Sequence, residues 1–424
     1  MPKIILSINA GSSSVKVSVF SYNSPTTAPT QLAVIQIAGL TAPPATLSYS
    51  HKDTNIKDQQ IPNINGPEDA YQHILNHLIQ DKSLTELNHP DDVEFATHRV
   101  VHGGSYSTPV RIDQDTFHHL EALSDLAPLH NAGALAIVQA VHKACPKTTN
   151  IAFFDSAFHA TLPEPVRTYA IDPEKAAKNG LRKYGFHGLS YAYITRTVAE
   201  YLKKPAAETN LIALHLGSGA SACCIRGGES IDTSMGLTPL AGLPGATRSG
   251  DVDPSLIFHM THDAGKLSVS STKELHITQA EQILNKESGW KAMTGTTDFG
   301  EISKKAEEGD ERCKLVVEML VDRIVGFVGS YYVKLGGKVD ALVFAGGIGE
   351  KGVGLRRMVV ERVGCLGFEI DGEANGKPKD EVVAEVGRKR EGGGKVFIVK
   401  TDEQAEMAGQ CVKESEGLRR PKDS

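Results

Sequence analysis

Two stretches of the same layout, far apart in the chain, constrain the fold most. The first is Ile4 to Phe20, IILSINAGSSSVKVSVF. Ile4, Ile5, Leu6 and Ile8 lead to Asn9, a small polar loop follows (Ala10-Gly11-Ser12-Ser13-Ser14), and Val15, Val17 and Val19 then alternate with Lys16, Ser18 and Phe20. Short β-branched runs around a Gly/Ser turn predict a hairpin. The second stretch, Leu211 to Ile225 (LIALHLGSGASACCI), repeats strand, Gly/Ser loop and strand. The echo predicts a duplicated unit. The first loop carries hydroxyls, backbone N–H groups and Lys16, the equipment for gripping a phosphate or other oxyanion. A third element, Asp340 to Gly349 (DALVFAGGIG), is a buried strand running into glycines. Backbone must approach something closely at three places, and glycine permits that approach.

The intervening chain alternates strands and helices. Ser21 to Pro62 is turn-rich and suits a strand meander. Pro67 to Lys82 has apolar residues at helical spacing. Val93 to Arg99 predicts a strand entering THRVVHGGS, and Thr116–Leu126 and Ala132–Cys145 predict helices around the turn APLHN. Asn150 to Phe154 predicts a buried strand ending at Asp155, a position where open α/β sheets place ligand groups. A second unit is expected from near Ala160. In it, KYGFHGLS enters a helix over Tyr191–Leu202, and Thr233 to Pro254 forms a long Gly/Pro-punctuated loop of the kind that is usually functional. Cys313–Leu335 predicts a long helix, Asp371–Lys395 a mobile surface loop, Val396–Lys400 a strand and Gln404–Glu414 a last helix, with a frayed tail from Ser415.

Composition narrows the class. A chain of 424 residues allows two or three domains. The formal net charge of −6 argues against a nucleic-acid partner. Six cysteines without a CxxC spacing predict buried free thiols in a reducing compartment. There is neither a secretory leader pattern nor an apolar run of about 20 residues, so no membrane partner and a cytoplasmic location are expected.

Phosphate chemistry has several versions. There is no GxxxxGK[ST] and no protein-kinase HRD or DFG segment. A GxGxxG at Gly347 to Gly352 follows a strand, with Glu369 placed like a ribose-binding acid, so a dinucleotide-dependent dehydrogenase stays an alternative. Too little chain follows it for the two halves that a dinucleotide spans. A nucleotide held between two hairpin loops, with the third glycine turn beside the nucleoside, accounts for more of the sequence.

Nine segments now acquire a joint meaning: NAGSSSVK, HRVVHGG, APLHN, FDSAFH, RKYGFHG, HLGSG, DTSMGLTPLAGLPGATRSGD, GGIGE and TDE, in this order from Asn9 to Glu403. The set resembles the signature of the acetate kinases, members of the acetate and sugar kinase, heat-shock ATPase and actin superfamily. The Ser-rich insert around Pro25 and the charged stretch after Asp371 resemble the fungal branch. The resemblance implies an α/β, two-domain actin-like ATPase fold with duplicated mixed sheet cores and an interdomain cleft. Domain I would be residues 1–159 plus 405–424, with the C-terminal helix returning to it. Domain II, 160–404, would bind nucleotide and dimerise.

The implied reaction is reversible, direct in-line transfer of the ATP γ-phosphoryl group to acetate, giving acetyl phosphate and ADP, with Mg²⁺ (or Mn²⁺). Arg99 and Arg248 would contact the acyl carboxylate and the γ-phosphoryl group, with His187 a donor to its oxygens. Glu403 would ligate the metal, with Asn9 and Asp155 beside it. Asn9, Ser12, Ser14 and Lys16 would form one phosphate loop, and Gly217, Ser218 and Gly219 the other, with His215 nearby. Asp298, Phe299, Gly347, Ile348 and Gly349 would lie at the nucleoside. Val101, Leu129, His130, Phe186 and Pro239 would make the small acetate pocket. The family further implies a homodimer and a metabolic link to a phosphoketolase. A propionate or butyrate kinase, a pyrophosphate-dependent acetate kinase and a non-enzymatic nucleotide switch of the same superfamily are alternatives. The small residues Gly347 and Ile348 favour ATP over pyrophosphate.

The chain departs from the family pattern at four places. Ser218 replaces Asn in HLGNG, Lys351 replaces Asn in GIGEN, and Gly300 replaces Arg in DFR. The usual FHGTSH is FHGLSY, which brings in Tyr191.

Overall fold

The computed structural model describes residues 2–418 apart from Ser12, 41–43, 124–127, 272–275 and 389–392, and gives residues 128–130 and 132 as backbone alone. Chain contacts divide it into two units, Met1–Ala157 with Asp402–Ser424, and Phe158–Thr401.

Unit 1 holds eight strands: β1 (Lys3–Ala10), β2 (Ser14–Tyr22), β3 (Thr30–Ala38), β4 (Ala45–His51), β5 (Thr54–Ile61), β6 (Val93–Val100), β7 (Val110–Arg111) and β8 (Thr149–Phe154). They form one sheet ordered β5-β4-β3-β2-β1-β6-β8-β7. β1 runs parallel to β6 and β6 parallel to β8, while β1, β2, β3, β4 and β5 form an antiparallel meander. Side chains alternate across β1. Ile4, Leu6 and Ile8 join a core with Tyr71, Ile74, Leu75 and Leu78 of the helix Pro67–Gln80. Ser7 and Asn9 therefore point to the other face, where the helix Glu403–Leu418 packs.

Unit 2 holds β9 (Leu211–Leu216), β10 (Ala220–Arg226), β11 (Glu229–Thr233), β12 (Ala341–Ala345), β13 (Val383–Glu385) and β14 (Lys395–Val399), ordered β11-β10-β9-β12-β14-β13. β9, β12 and β14 are parallel, and β10 and β11 are antiparallel. The run β11-β10-β9-β12-β14-β13 thus repeats β3-β2-β1-β6-β8-β7 in order and direction, and the duplication predicted from two loops extends to six strands. Ile212, Leu214 and Leu216 pack under the long helix Glu311–Lys334, while Leu211 and Ala213 face Tyr191, Ile194 and Val198 of the helix Gly188–Leu202.

Three expectations need correction. The segment Pro128 to Asn131 is no turn but opens the helix Pro128–Ala144, with Pro128 first, where a missing N–H costs nothing. Within Asp371–Lys395, Gly372–Gly376 is helical and β13 pairs with β14. Asn375 there is buried and accepts from Arg356 Nε at 2.7 Å. Arg356 is itself fully buried and also donates to the carbonyls of Gly349 and Glu350, both at 2.8 Å, tying down the helix Gly346–Lys351. The last helix runs on to Leu418, with Ser415 buried, so the chain is ordered beyond the point where fraying was expected. All six cysteines are free; Cys365 is exposed and the others are buried. Among the described residues no helix is long and apolar enough to cross a membrane.

Two histidines are held neutral by burial. Both His98, whose Nε2 meets Asn150 Oδ1 at 2.8 Å, and His159 are pushed down to about 4 from the usual 6.5. The unfolded chain binds protons below pH 6.5 that these folded sites refuse until about pH 4. Stability should therefore fall as pH drops from 6.5 towards 4, and His98→Gln and His159→Gln should each flatten that fall in urea titrations run along the pH series.

Candidate active site

Parallel strands end at one edge of a sheet, and ligand groups collect there. In unit 1, Asn9 stands near the end of β1, Arg99 near the end of β6 and Asp155 just beyond β8. Arg99 is the hub. Its Nη2 lies 2.7 Å from Asp155 Oδ2 and its Nε 3.1 Å from Asp155 Oδ1. Its Nη1 lies 2.9 Å from Glu403 Oε2 and donates to Asn9 Oδ1 at 3.4 Å. Asn9 Nδ2 donates to Glu403 Oε2 at 2.9 Å. Burial disfavours the Arg99 cation, but Asp155 and then Glu403 outweigh it and hold its proton more firmly than usual.

The placing of Glu403 depends on residues that the sequence did not flag. Asp402 Oδ1 accepts from the backbone N–H groups of Gln404 and Ala405, capping the last helix. Buried Gln404 donates from Nε2 to the Ser7 carbonyl at 2.9 Å, and Ser7 Oγ donates to the Gln404 carbonyl at 2.9 Å. Thr97 donates to Ser7 Oγ at 3.1 Å. Alternation explains the grouping: Ser7 and Asn9 share one face of β1, and Thr97 and Arg99 share one face of β6. Asn131 clamps the loop after β6, accepting from His102 N and donating to His102 O, both at 3.0 Å. Val101, half-buried, lies in that loop. Ser14 and Lys16 open β2, with Lys16 opposite Asn9. Ser12 and the side chains of Leu129 and His130 lie outside the described residues.

In unit 2 the loop after β9 is tight. Gly217 N donates to the Gly219 carbonyl at 3.0 Å, and Ala246 N to the Ser218 carbonyl at 2.8 Å. A Cβ on Gly219 would stand 2.2 Å from Arg248 Nη2 and 3.5 Å from His187 Nε2. The missing side chain is what lets the guanidinium lie over this loop. Burial pulls Arg248 down to about 10, and among the described residues no carboxylate pairs with it. Lys286 is pulled down by burial and then by Arg248. A half-buried cation that, among the described residues, has no carboxylate partner and lies over a glycine turn is suited to an anion. Phe186 and Pro239 are buried in this unit. His187 has left-handed backbone (φ 60°), and its ring packs against that of His215, centroids 4.2 Å apart and planes tilted by 30°.

Beside this loop is a cavity of about 820 Å³ lined by Gly217, Ser218, Asp298, Phe299, Gly347 and Ile348, together with the divergent Gly300 and Lys351. Asp298 also caps a helix, accepting from Gly300 N at 2.8 Å. Gly349 lies beneath, with Phe344 backbone 3.4 Å from where its Cβ would be. Lys304, Glu307, Lys314 and Glu318 also line the cavity. They sit on exposed faces of ordinary amphipathic helices, so no sequence signal marked them.

The profile of the acetokinase family matches residues 4–409. This chain belongs to the acetokinase family. A probable acetate kinase of Emericella nidulans is 54% identical over 98% of this chain and 99% of that protein. Among solved structures, a propionate kinase from Francisella tularensis superposes with a TM-score of 0.83 at 32% identity, covering 96% of this chain and 98% of the other. Porphyromonas gingivalis acetate kinase superposes with a TM-score of 0.79 at 31% identity, with the same two coverages. The acetokinase fold is the actin-like ATPase architecture, with a sheet core in each of two domains.

Gly219→Ala should displace Arg248 and weaken binding of a non-hydrolysable ATP analogue at least about tenfold, roughly the scale of losing one charge-assisted contact. Arg248→Ala should do the same, and the double variant should be no weaker than either, all measured by isothermal titration calorimetry.

Proposed function

We propose that this protein is an acetate kinase that transfers the γ-phosphoryl group of ATP to acetate, reversibly, giving acetyl phosphate and ADP. The observation carrying the proposal is Arg248: a desolvated cation with no carboxylate partner among the described residues, over Gly219 and beside His187 Nε2. In-line transfer develops charge on the phosphoryl oxygens, and pre-placed donors stabilise it without reorganising. Arg248 and His187 are such donors. The loops at Asn9–Lys16 and Gly217–Gly219 hold phosphate groups, with His215 behind the second. The cavity beside the second loop takes the nucleoside, with Asp298, Phe299, Gly347 and Ile348 as its walls. Its volume of about 820 Å³, with open space where a Gly347 Cβ would be, favours ATP over pyrophosphate.

Arg99 receives the acetate carboxylate, and Val101, Leu129, His130, Phe186 and Pro239 limit the acyl chain. Asp155, Glu403 and the Asn9 amide oxygen are hard oxygen donors, which suits Mg²⁺ with waters and phosphate oxygens completing its shell. Among the described residues no three His, Cys, Asp or Glu side chains gather into a ready-made metal site, so metal affinity should depend on the nucleotide. An ion held there would offset phosphate charge. Asn9, donating to Glu403, would keep that carboxylate in place, and Arg99 would keep the acetate carboxylate oriented.

The test is magnesium-dependent formation of acetyl hydroxamate from ATP and acetate. Arg248→Ala and Glu403→Ala should each lower kcat at least about 100-fold, the scale of losing one transition-state donor. Wild-type rates in both would refute the role assignment. The likeness to a propionate kinase supports a second reading. One methylene in an apolar pocket is worth about 1–3 kcal/mol, so propionate should show a kcat/KM roughly 5- to 150-fold below that of acetate. A preference for propionate would favour the second reading.

The reading includes a homodimer in the cytosol and a metabolic link to a phosphoketolase. Support for the dimer comes from exposed apolar side chains close in sequence, Leu256, Phe258, Met260, Leu267 and Val269, with Phe258 66% exposed. Phe258→Asp together with Leu267→Asp should shift light scattering from a dimer mass to a monomer mass. An unchanged mass would remove that support.

A further inference from the structure

We propose that Tyr191, acting through Ser221, is a positioning residue for His187, fixing which ring nitrogen carries the proton. The inference rests on the reading of His187 as a donor to the transferred phosphoryl group. Tyr191 is one of the positions where the sequence leaves the family pattern, and the structure gives it a partner.

Strand alternation brings the parts together. On β10, Ala220, Ala222 and Cys224 enter the core beneath the long helix, so Ser221 points to the opposite face. Ser221 is the cross-strand neighbour of His215 on β9. The helix Gly188–Leu202 lies over this face and begins beside His187, with Tyr191 one turn further on. Tyr191 and Ser221 are both fully buried. The Tyr191 hydroxyl lies 2.5 Å from Ser221 Oγ, and Ser221 Oγ lies 2.8 Å from His187 Nδ1.

The order of donation follows from acidity. A phenol is a stronger acid than an aliphatic hydroxyl, so Tyr191 donates to Ser221 Oγ. Ser221 is then left to donate its own proton to His187 Nδ1. In a neutral imidazole the remaining proton sits on Nε2, the nitrogen facing Gly219 and Arg248. The reverse order would put a lone pair there and repel a phosphoryl oxygen. The ring plane is fixed separately. His187 packs against His215 with the ring planes tilted by 30°; His215 Nδ1 meets Ser190 Oγ at 2.8 Å, and Ser190 Oγ meets Thr401 Oγ1 at 2.9 Å. Each imidazole of the pair thus has a serine hydroxyl on Nδ1.

The experiment is long-range ¹⁵N–¹H NMR of the histidine rings in the full chain, with His187 assigned by its loss in His187→Asn. The expected result is a neutral His187 protonated on Nε2. Tyr191→Phe and Ser221→Ala should mix the tautomers and lower kcat by about 10- to 100-fold, as loss of the outer partner of a functional histidine commonly does. KM for ATP and acetate should stay within about twofold, and the double variant should be no slower than Ser221→Ala. Ser221→Thr keeps the hydroxyl and should keep most of the rate. A wild-type ring protonated on Nδ1 would overturn the proposal, as would Tyr191→Phe with unchanged kcat, or a loss in KM alone. The wild-type spectrum decides even if a variant does not fold. Failure of the parent reading looks different: His187→Asn would retain its rate whatever the tautomer.

Discussion

The candidate site of unit 1 depends on Arg99 staying paired. A guanidinium this enclosed is stable only with compensating charge, and two carboxylates from distant parts of the chain supply it. Asp155 arrives because β8 is parallel to β6 and ends at the same edge. Glu403 arrives because Asp402 caps the last helix and Gln404 locks it to β1 across nearly four hundred residues of chain. Removing any of these leaves a buried charge or an unsatisfied amide. The same contacts that close the fold at its two ends therefore assemble the site.

Unit 2 uses the repeated sheet with the opposite electrostatics. Arg248 has no carboxylate among the described residues, and burial lowers its hold on its proton. Arg99 sits in an environment with one more negative than positive charge, which suits a cation. Among the described residues Arg248 is met by Lys286 and by no carboxylate, which suits a phosphate. Duplication supplied two equivalent edges, and side-chain choice gave them different electrostatics.

Much of this was legible in the sequence, for reasons that can be named. The hairpins at Asn9 and Gly217 announced themselves through alternation and glycine, because tight turns leave few residue choices. Asp155 was legible because a carboxylate ending an apolar run is costly without a purpose. Gln404, Ser7 and Asn131 were not, because one polar residue on a helix or strand looks like solvent exposure until its partner is known. Lys304 and Lys314 escaped for the same reason. Pro128 misled, since proline marks a turn and a helix start equally well. The segment after Asp371 looked like a loop because its order depends on Asn375 meeting Arg356, a contact that local composition does not encode. Tyr191 was visible only as an irregularity until Ser221 was found beside it.

That Arg248 has no carboxylate partner among the described residues has a consequence for the stability of the molecule. Desolvating a cation without a counter-ion is a cost carried by the empty state alone, and a bound phosphate removes it. Ligand that binds only the folded chain then adds stability that grows with the logarithm of its concentration relative to its dissociation constant. On the proposed reading of Arg248, folded stability is thereby coupled to the supply of the phosphate ligand.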